Sequence, residues 1–410
     1  MGVWSFNKGE WTECYVFLRL LGKGRLYCAT KDFKENKDVY IDIQEIYRYE
    51  QKNLIIFKRF VQETLVNMVS VTNQTEDKVI KIVTAKELDQ QAEILFNAII
   101  KSKGKKGTIS LSQTQEFIEE LSLSTPKPNY PKEIKAKYGN KSDIIIKHIS
   151  SIDHSCSTSG FSIKSHLGSS PSLYNSSTKS QLVYEVIGCT TEKMYLIDAI
   201  ESETGIFQAI KNDPDLSLEF IGGGCEEFEN NMSLCDSRML DVLDQLMLIQ
   251  IGFTGKSDSA SCKDLVKELV KENPLNIRNK DVFYETLIKR FLFNSFAGMT
   301  ASKKWDGRKK LTGGYIDVDK NGKILYYRAM SDDIFETYLY ENTVFDRPSR
   351  GSEKDIYYEK GNLFKENKSI EDVEKHICKK STKGKKGDWG YIYPENGKFY
   401  IKINFQVRFK

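Results

Sequence analysis

Apolar positions recur at helical spacing near the start of the chain. In Asn7 to Leu21 (NKGEWTECYVFLRLL), Trp11, Tyr15, Leu18 and Leu21 share a stripe with Val16 and Leu20 beside it, while Glu10 and Glu13 lie three apart on one face. The pattern predicts an amphipathic helix carrying two carboxylates. From Arg25 to about Ile82 the spacing changes to short β-like runs, such as Val39-Tyr40-Ile41-Asp42-Ile43 and Leu54-Ile55-Ile56-Phe57. Helical stretches return near 86–101 and 113–121, the second with Ser112 and Gln115 spaced for a capping box. Thr125-Pro126-Lys127-Pro128-Asn129-Tyr130-Pro131 then denies both helix and sheet and marks a connection.

Beyond it, Asp143-Ile144-Ile145-Ile146, Gly160-Phe161-Ser162-Ile163-Lys164 and Gln181-Leu182-Val183-Tyr184-Glu185-Val186-Ile187 read as three strands of one compact α/β core. Helical periodicity dominates from about 236 to 297, through Met239, Leu243, Leu246, Leu265, Leu269, Phe283, Leu287 and Phe291. Asn321-Gly322 and Asn396-Gly397 each separate strand-like runs and predict hairpins. The closing segment sets Phe399, Ile401, Ile403, Phe405, Val407 and Phe409 against Lys402, Asn404, Gln406, Arg408 and Lys410, predicting a strand with one apolar face and one basic, wet face. The chain therefore reads as α/β (α+β) in four stretches. These are an N-terminal helix and β/α region over 1–125, a core over 126–215, a helical region over 216–300 and a β-hairpin-rich part over 301–410.

Composition narrows the function classes without choosing one. With 410 residues, 40% hydrophobic and 29% charged, the chain is long enough for two or three ordinary domains and is no disordered tail. No run of about 18 uncharged apolar residues predicts a membrane span. A basic-then-apolar leader is lacking, and Phe6 stands where a myristoylation signal needs Ser or Thr, so a cytoplasmic protein without a membrane partner is expected. The net charge of +4 and pI of about 8.4 fall below the range of strongly basic nucleic-acid domains. The eight cysteines contain no C-x-x-C, and His148, His154, Cys156 and His166 lack a zinc-ligand spacing. Gly252 to Ser257 imitates a phosphate-binding loop, but Gln250 stands where that loop needs glycine. Lys-Gly-Lys-Lys-Gly at 103–107 and 383–387 fits a loop that meets phosphates or a plain solvated one.

The more informative constellation is Asp143 at the head of one strand, Lys164 on the next, and Ser162 two residues before the lysine. A metal-dependent phosphodiesterase needs a carboxylate to hold a divalent cation against the scissile phosphate and a cationic group near the attacking water. Neighbouring antiparallel strands bring such groups together, although a strand-end acid and a surface lysine fit the same letters. Trp4 to Glu13 (WSFNKGEWTE), Gly160 to Ser165 (GFSIKS), Gly298-Met299-Thr300, Lys304 to Gly307 (KWDG), Gly313 to Ile316 (GGYI) and Ile403 to Lys410 (INFQVRFK) extend the signal along the chain. Together and in this order they resemble the HpaII family of type II restriction endonucleases. The segment 352–386 departs most from that pattern, like an insertion.

The resemblance implies a Mg²⁺-dependent endonuclease that cuts double-stranded DNA at a short palindrome, CCGG-like, through a PD-(D/E)xK-like nuclease core. It makes Asp143 the metal-binding acid and Lys164 the catalytic lysine, with Ser162 in the place of the second acid. Some such enzymes move a glutamate onto a helix 13 or 14 residues after the lysine, but Ser177 and Thr178 stand there. Glu10 or Glu13 on the first helix is the expected replacement ligand, a solvated helix face being the alternative. Arginine forks match guanine O6 and N7, and seven of the twelve arginines lie after residue 270. Arg347 and Arg350 are therefore the first candidates for base reading and Arg308 the next, with Ser165, His166 and Asn175 near the cut. The implied partners are double-stranded DNA and, functionally, a cognate DNA methyltransferase. A palindrome is met by a homodimer, or by a monomer nicking each strand in turn. The competing readings are a DNA-binding protein with a degenerate nuclease site and a nuclease acting on modified DNA.

Overall fold

Helix α1 (Lys8–Lys23) begins where the sequence predicts because Asn7 closes a capping box. The Asn7 side chain accepts from Glu10 N at 2.9 Å, and Asn7 N donates to Glu10 Oε2 at 3.0 Å. The helix stops at Gly24, whose φ of 74° suits glycine and whose N–H returns to Leu20 O. The structure, a computed structural model, describes residues 3–410 except 51, 62–65, 103–107, 140, 169, 256–259, 308–311, 329–332, 349–353, 374 and 376–388.

After α1 come β1 (Arg25–Ala29), β2 (Glu35–Glu50), β3 (Asn53–Val61), β4 (Asn67–Asn73), β5 (Lys78–Thr84), α2 (Ala85–Lys101), α3 (Ser112–Glu120), α4 (Lys132–Tyr138), β6 (Ile144–Ser150) and β7 (Cys156–Ser165). The middle of the chain forms β8 (Ser172–Tyr174), β9 (Gln181–Ile187), α5 (Thr191–Asp198), α6 (Glu203–Asn212), β10 (Ser217–Gly223), α7 (Glu226–Cys235), α8 (Met239–Gln250), α9 (Cys262–Glu272) and α10 (Lys280–Ala297). The last part forms β11 (Gly314–Val318), β12 (Ile324–Arg328), α11 (Asp333–Asn342), β13 (Thr343–Asp346), α12 (Lys354–Lys365), β14 (Ile392–Glu395), β15 (Lys398–Asn404) and β16 (Gln406–Phe409). The chain divides into two units, each built from two stretches. Met1–Pro171 joins Lys309–Tyr338, and Ser172–Arg308 joins Leu339–Lys410.

In the first unit nine strands pair in the order β1-β12-β11-β7-β6-β2-β3-β4-β5, and β1 also pairs with β2. The sixteen-residue β2 makes this possible: its first half meets β1, its middle β6 and its end β3, so six strands close into a ring. The apolar stripe of α1, including Trp11, Val16, Leu18 and Leu21, packs with Leu88, Leu95 and Ile99 of α2 over Ile43, Ile46, Phe161, Ile163 and Val318 of the sheet. Burying each such side chain stabilises the fold by roughly 1.5–3 kcal/mol relative to exposure.

In the second unit an antiparallel sheet, β10-β9-β15-β14, and a smaller one, β13-β16-β8, accompany the helices. Tyr174, Phe291, Phe345 and Phe405 form an aromatic cluster, with Tyr174 and Phe405 stacked at 5.7 Å. Both predicted hairpins form. At Asn396-Gly397 the two residues have φ of 50° and 77°, the mirror-image turn that suits the twist of the flanking strands.

Three local expectations are corrected. Ser112 is the first residue of α3 and Leu111 precedes it without a side-chain cap, so the Ser112–Gln115 capping box does not form. Gln115 instead accepts from Trp4 N at 2.8 Å and donates to Glu119. The third expected core strand, β9, pairs with β10 and β15, in a different sheet from β6 and β7. The closing strand breaks at Phe405 into β15 and β16, which belong to different sheets. Asn404, expected on its wet face, is 5% exposed, because its amide is held by Ser180 Oγ at 3.0 Å and Ser177 O at 3.1 Å. Alternation selects a face, and pairing partners decide whether the second face is covered. Among the described residues no helix is long and apolar enough to cross a membrane.

Candidate active site

The Thr125–Pro131 connection is fastened beneath the amino end of α1, and this fastening assembles a charged site in the first unit. Arg48, 1% exposed on β2, donates to Thr125 O at 2.8 Å and Pro126 O at 3.2 Å and lies beside Glu50. Glu50 in turn accepts from Ser124 N at 3.0 Å. The Tyr130 hydroxyl donates to Tyr47 O and accepts from Ile145 N, which ties the connection to the start of β6. Lys127 is thereby delivered to α1, where it pairs with Glu10.

Asp143 stands one residue ahead of β6. Its N–H donates to Phe161 O at 2.8 Å, and its Oδ2 accepts from Ile163 N at 2.7 Å and Ser162 Oγ at 3.0 Å. The carboxylate thus continues the ladder along β7 at the point where the β6 backbone leaves it. The loop carrying Lys141 to Asp143 crosses β7 at Gly160, where a Cβ would come to 2.1 Å from Ser142 Oγ and 2.3 Å from Tyr138 O. Only glycine allows so close a crossing.

Burial raises the pKa of Asp143, against the opposing pull of Lys164, the Ile163 N–H, the Ser162 hydroxyl and Lys135. Glu13 is pushed up to about 8 by burial and by the charge of Asp143, opposed by Lys127 and Arg48. Lys141 is pushed down to about 8 by burial and by Lys164, with Asp143 acting against them. Two half-buried carboxyls that repel one another, with lysines 127, 135, 141 and 164 around them, form a site whose charge distribution is unbalanced from within.

The structure therefore brings Asp143, Ser162, Lys164 and Glu13 together. Glu10 is nearby, but one of its oxygens serves the Asn7 cap and the other takes Lys127. Ser165 braces α1, its hydroxyl 3.0 Å from Thr12 Oγ1. His166 follows β7, with Nε2 3.1 Å from Asp317 Oδ1. Asn175 is exposed after β8 in the second unit. Arg347, also there, is half-buried, and desolvation lowers its pKa against Glu203 and Asp346. Arg308, Arg350 and the glycine-spaced lysines at 103–107 and 383–387 lie outside the described residues, as do Lys256 and Ser257.

Among the described residues, no group of three or more His, Cys, Asp or Glu is placed to hold a metal ion, so His148, His154, Cys156 and His166 form no such cluster. Sequence reasoning missed Lys127, Lys141 and Asp317. Lys141 was findable by its place two residues before Asp143, and Asp317 as an acid within the apolar run Tyr315-Ile316-Asp317-Val318. Lys127 carried no such signal, because only the fastening of the connection places it.

Comparison with known proteins agrees with the motifs quoted above. The family described as HpaII restriction endonuclease matches residues 7–370. The Type II restriction enzyme HpaII of Haemophilus parainfluenzae is 28% identical over 410 residues, covering 99% of this chain and 98% of that protein. No solved structure matches the chain.

Proposed function

Because the chain belongs to the HpaII restriction endonuclease family, and is thereby a type II site-specific deoxyribonuclease, we propose that Glu13, Asp143 and Lys164 form its Mg²⁺-dependent cleavage centre. The observation that carries this reading is the half-buried Glu13–Asp143 carboxyl pair with Lys164 beside it. In this reading the core is PD-(D/E)xK-like, with Ser162 in the second-acid place and the missing acid supplied from α1 by Glu13. Glu10, committed to the helix cap and Lys127, is the lesser candidate.

The donor set suits Mg²⁺, which takes one or two carboxylates and keeps water and substrate phosphate oxygens in its remaining positions. Glu13 and Asp143 would hold it. When bound, the cation supplies charge stabilisation at the phosphate and lowers the pKa of a water. Ile163 N–H and Ser162 Oγ fix the Asp143 carboxylate by occupying Oδ2. Lys164 places positive charge where a non-bridging phosphate oxygen gains negative charge, and Lys141 adds to that field. Water oxygen bonds to phosphorus as the P–O3′ bond breaks. The attacking water gives up a proton to solvent and the displaced O3′ oxygen takes one from solvent, leaving a 3′-hydroxyl and a 5′-phosphate.

Recognition of a short, CCGG-like palindrome follows from the family, with Arg347, Arg350 and Arg308 as base readers and Ser165, His166 and Asn175 nearer the cut. A cognate methyltransferase protects the host, and two copies act on the palindrome as a homodimer or one copy nicks twice. One observation favours a second reading: Ser162, rather than an acid, bonds Asp143, which fits a DNA-binding protein that has lost cleavage. The test is to incubate unmethylated phage DNA with the protein, with and without Mg²⁺, and to sequence the ends. Discrete Mg²⁺-dependent fragments sharing one motif support the first reading. Intact DNA that still shifts on a gel supports the second, and cutting confined to methylated plasmid points to modified DNA.

A further inference from the structure

The loop that delivers Lys141 and Asp143 is held, where it crosses β7, by a hydroxyl that the scheme above does not use. Gly160 lies on β7 four residues before Lys164. Gly313 N donates to Gly160 O at 2.9 Å, and Gly160 N donates to Thr312 Oγ1 at 2.9 Å. Thr312 and Gly313 directly precede β11, which runs parallel to β7 with Gly314 paired to Phe161. A side-chain hydroxyl thus stands where a parallel ladder would continue with a backbone carbonyl.

The same Oγ1 donates to the carbonyl of Tyr138, the last residue of α4, at 3.1 Å. Ser142 Oγ donates to that carbonyl as well, at 2.8 Å. A hydroxyl has one proton and two lone pairs and a carbonyl has two lone pairs, so Thr312 accepts from β7 while donating to the end of α4, and Tyr138 O takes both hydroxyls. Thr312 therefore ties the start of the loop to the strand that carries Lys164, and Ser142 ties the end of the loop back to its start. Tyr138 O and Ser142 Oγ already fill the space where a Cβ of residue 160 would stand, so the clasp closes on a tight crossing. Beyond Ser142, Asp143 is referred to β7 by its N–H on Phe161 O and its Oδ2 on Ile163 N. Lys141 lies on the span between these two anchors, and the place of its ammonium relative to Lys164 follows from both.

We propose that Thr312 is a positioning residue of the cleavage centre, its hydroxyl holding the 138–143 loop against β7 so that Lys141 and Asp143 keep their places relative to Lys164. The proposal rests on the reading of Glu13, Asp143 and Lys164 as that centre. Thr312 carries no charge, and its hydroxyl is spent on two backbone groups of the protein, so it acts on the step at phosphorus and leaves the affinity for DNA alone.

The test separates rate from affinity. Thr312→Val keeps the branched shape and removes the hydroxyl, and Thr312→Ser keeps the hydroxyl. Thr312→Val is expected to slow single-turnover cutting of unmethylated phage DNA at saturating protein by about 10-fold, below the roughly 10²-fold that a misplacement of about 1 Å costs. Its gel-shift affinity for a duplex carrying the mapped cleavage site, without divalent cation, should stay within about two-fold of the parent. Thr312→Ser should cut at nearly the parental rate. With every protein assayed well below its melting temperature, a hydroxyl that serves stability alone would lower the melting temperature of Thr312→Val and leave its rate parental, which overturns the proposal. A loss confined to affinity overturns it too, as does a Thr312→Ser protein as slow as Thr312→Val. Should Thr312→Val fail to fold, Ser142→Ala decides through the other bond to Tyr138 O, with slower cutting at parental affinity expected and a parental rate overturning the proposal. Failure of the underlying reading is distinguishable, because it appears as a parent that does not cut or an Asp143→Asn protein that cuts at the parental rate, and the role of Thr312 then falls with it.

Discussion

Asp143 in the first unit and Asp244 in the second are both acids drawn out of water, and burial raises the pKa of each, to about 6 for Asp244. Their neighbours differ. Around Asp143 stand a second carboxyl, Glu13, and the lysines 164, 135 and 141. Asp244, 4% exposed on α8, has the Gln245 amide at 2.7 Å, with Tyr184 and Asp241 as the other groups acting on it. Desolvation alone therefore does not mark a reactive acid. Each acid has a carboxylate neighbour, Glu13 for Asp143 and Asp241 for Asp244, so what separates the two is the set of lysines around Asp143, cations able to face a phosphate.

The largest test of that contrast is in cleavage. Asp143→Asn and Lys164→Ala are expected to slow single-turnover cutting of unmethylated phage DNA by about 10²–10³-fold or more while leaving gel-shift affinity near the parental value. Asp244→Asn should change the rate less than about two-fold. Loss of DNA binding alone in both first-unit variants would remove these residues from the centre.

The next contrast is within α1. Glu13→Gln should cost about 10²-fold in rate, whereas Glu10→Ala should cost little rate and about 1 kcal/mol of stability through the lost cap. A reversed order in rates would make Glu10 the ligand.

Stability should then reverse the roles of the two acids. Asp244 holds its proton more tightly folded than unfolded, so the stability it contributes is complete below about pH 4 and is lost as pH rises through about 6. Asp244→Asn should therefore stabilise the protein above pH 6, by up to about 3 kcal/mol, in denaturant titrations, with the difference closing near pH 4. An Asp244→Asn protein no more stable than its parent at pH 7.5 would show that Tyr184 and Gln245 already compensate the charge.

The smallest expected effect concerns the cation. Glu13 has the same sign of shift, with a folded value of about 8, so its contribution to stability is complete below about pH 4.5 and fades as pH rises through 8. Mg²⁺ needs the ionised form, so the rise in melting temperature it gives should grow from pH 6 to 8.5 in the parent and be flat in Glu13→Gln. A pH-independent increment in the parent would detach Glu13 from the cation.

Much of the fold was legible residue by residue. The stripe of α1, the runs that became β2 and β3, the helices between 239 and 297 and both Asn-Gly hairpins follow from short-range period and turn chemistry. That Asp143 and Lys164 come together was also legible, because a strand-head acid and a lysine on the next strand become neighbours when the two strands pair. Which glutamate faces Asp143 was not, since Glu10 and Glu13 share a helix face, and only the Asn7 cap and Lys127 take one of them away.

By itself, then, the sequence determined local elements, the burial of their apolar stripes and the family, because each of these is written in neighbouring residues or in the order of motifs along the chain. The tertiary structure alone decided which strands share a sheet, that β15 and β16 part at Phe405, and that Lys127 and Asp317 reach the first unit's charged face. Such placements depend on pairings between residues far apart in the chain. A period of two along one strand says which side is buried but carries no information about which distant strand lies beside it.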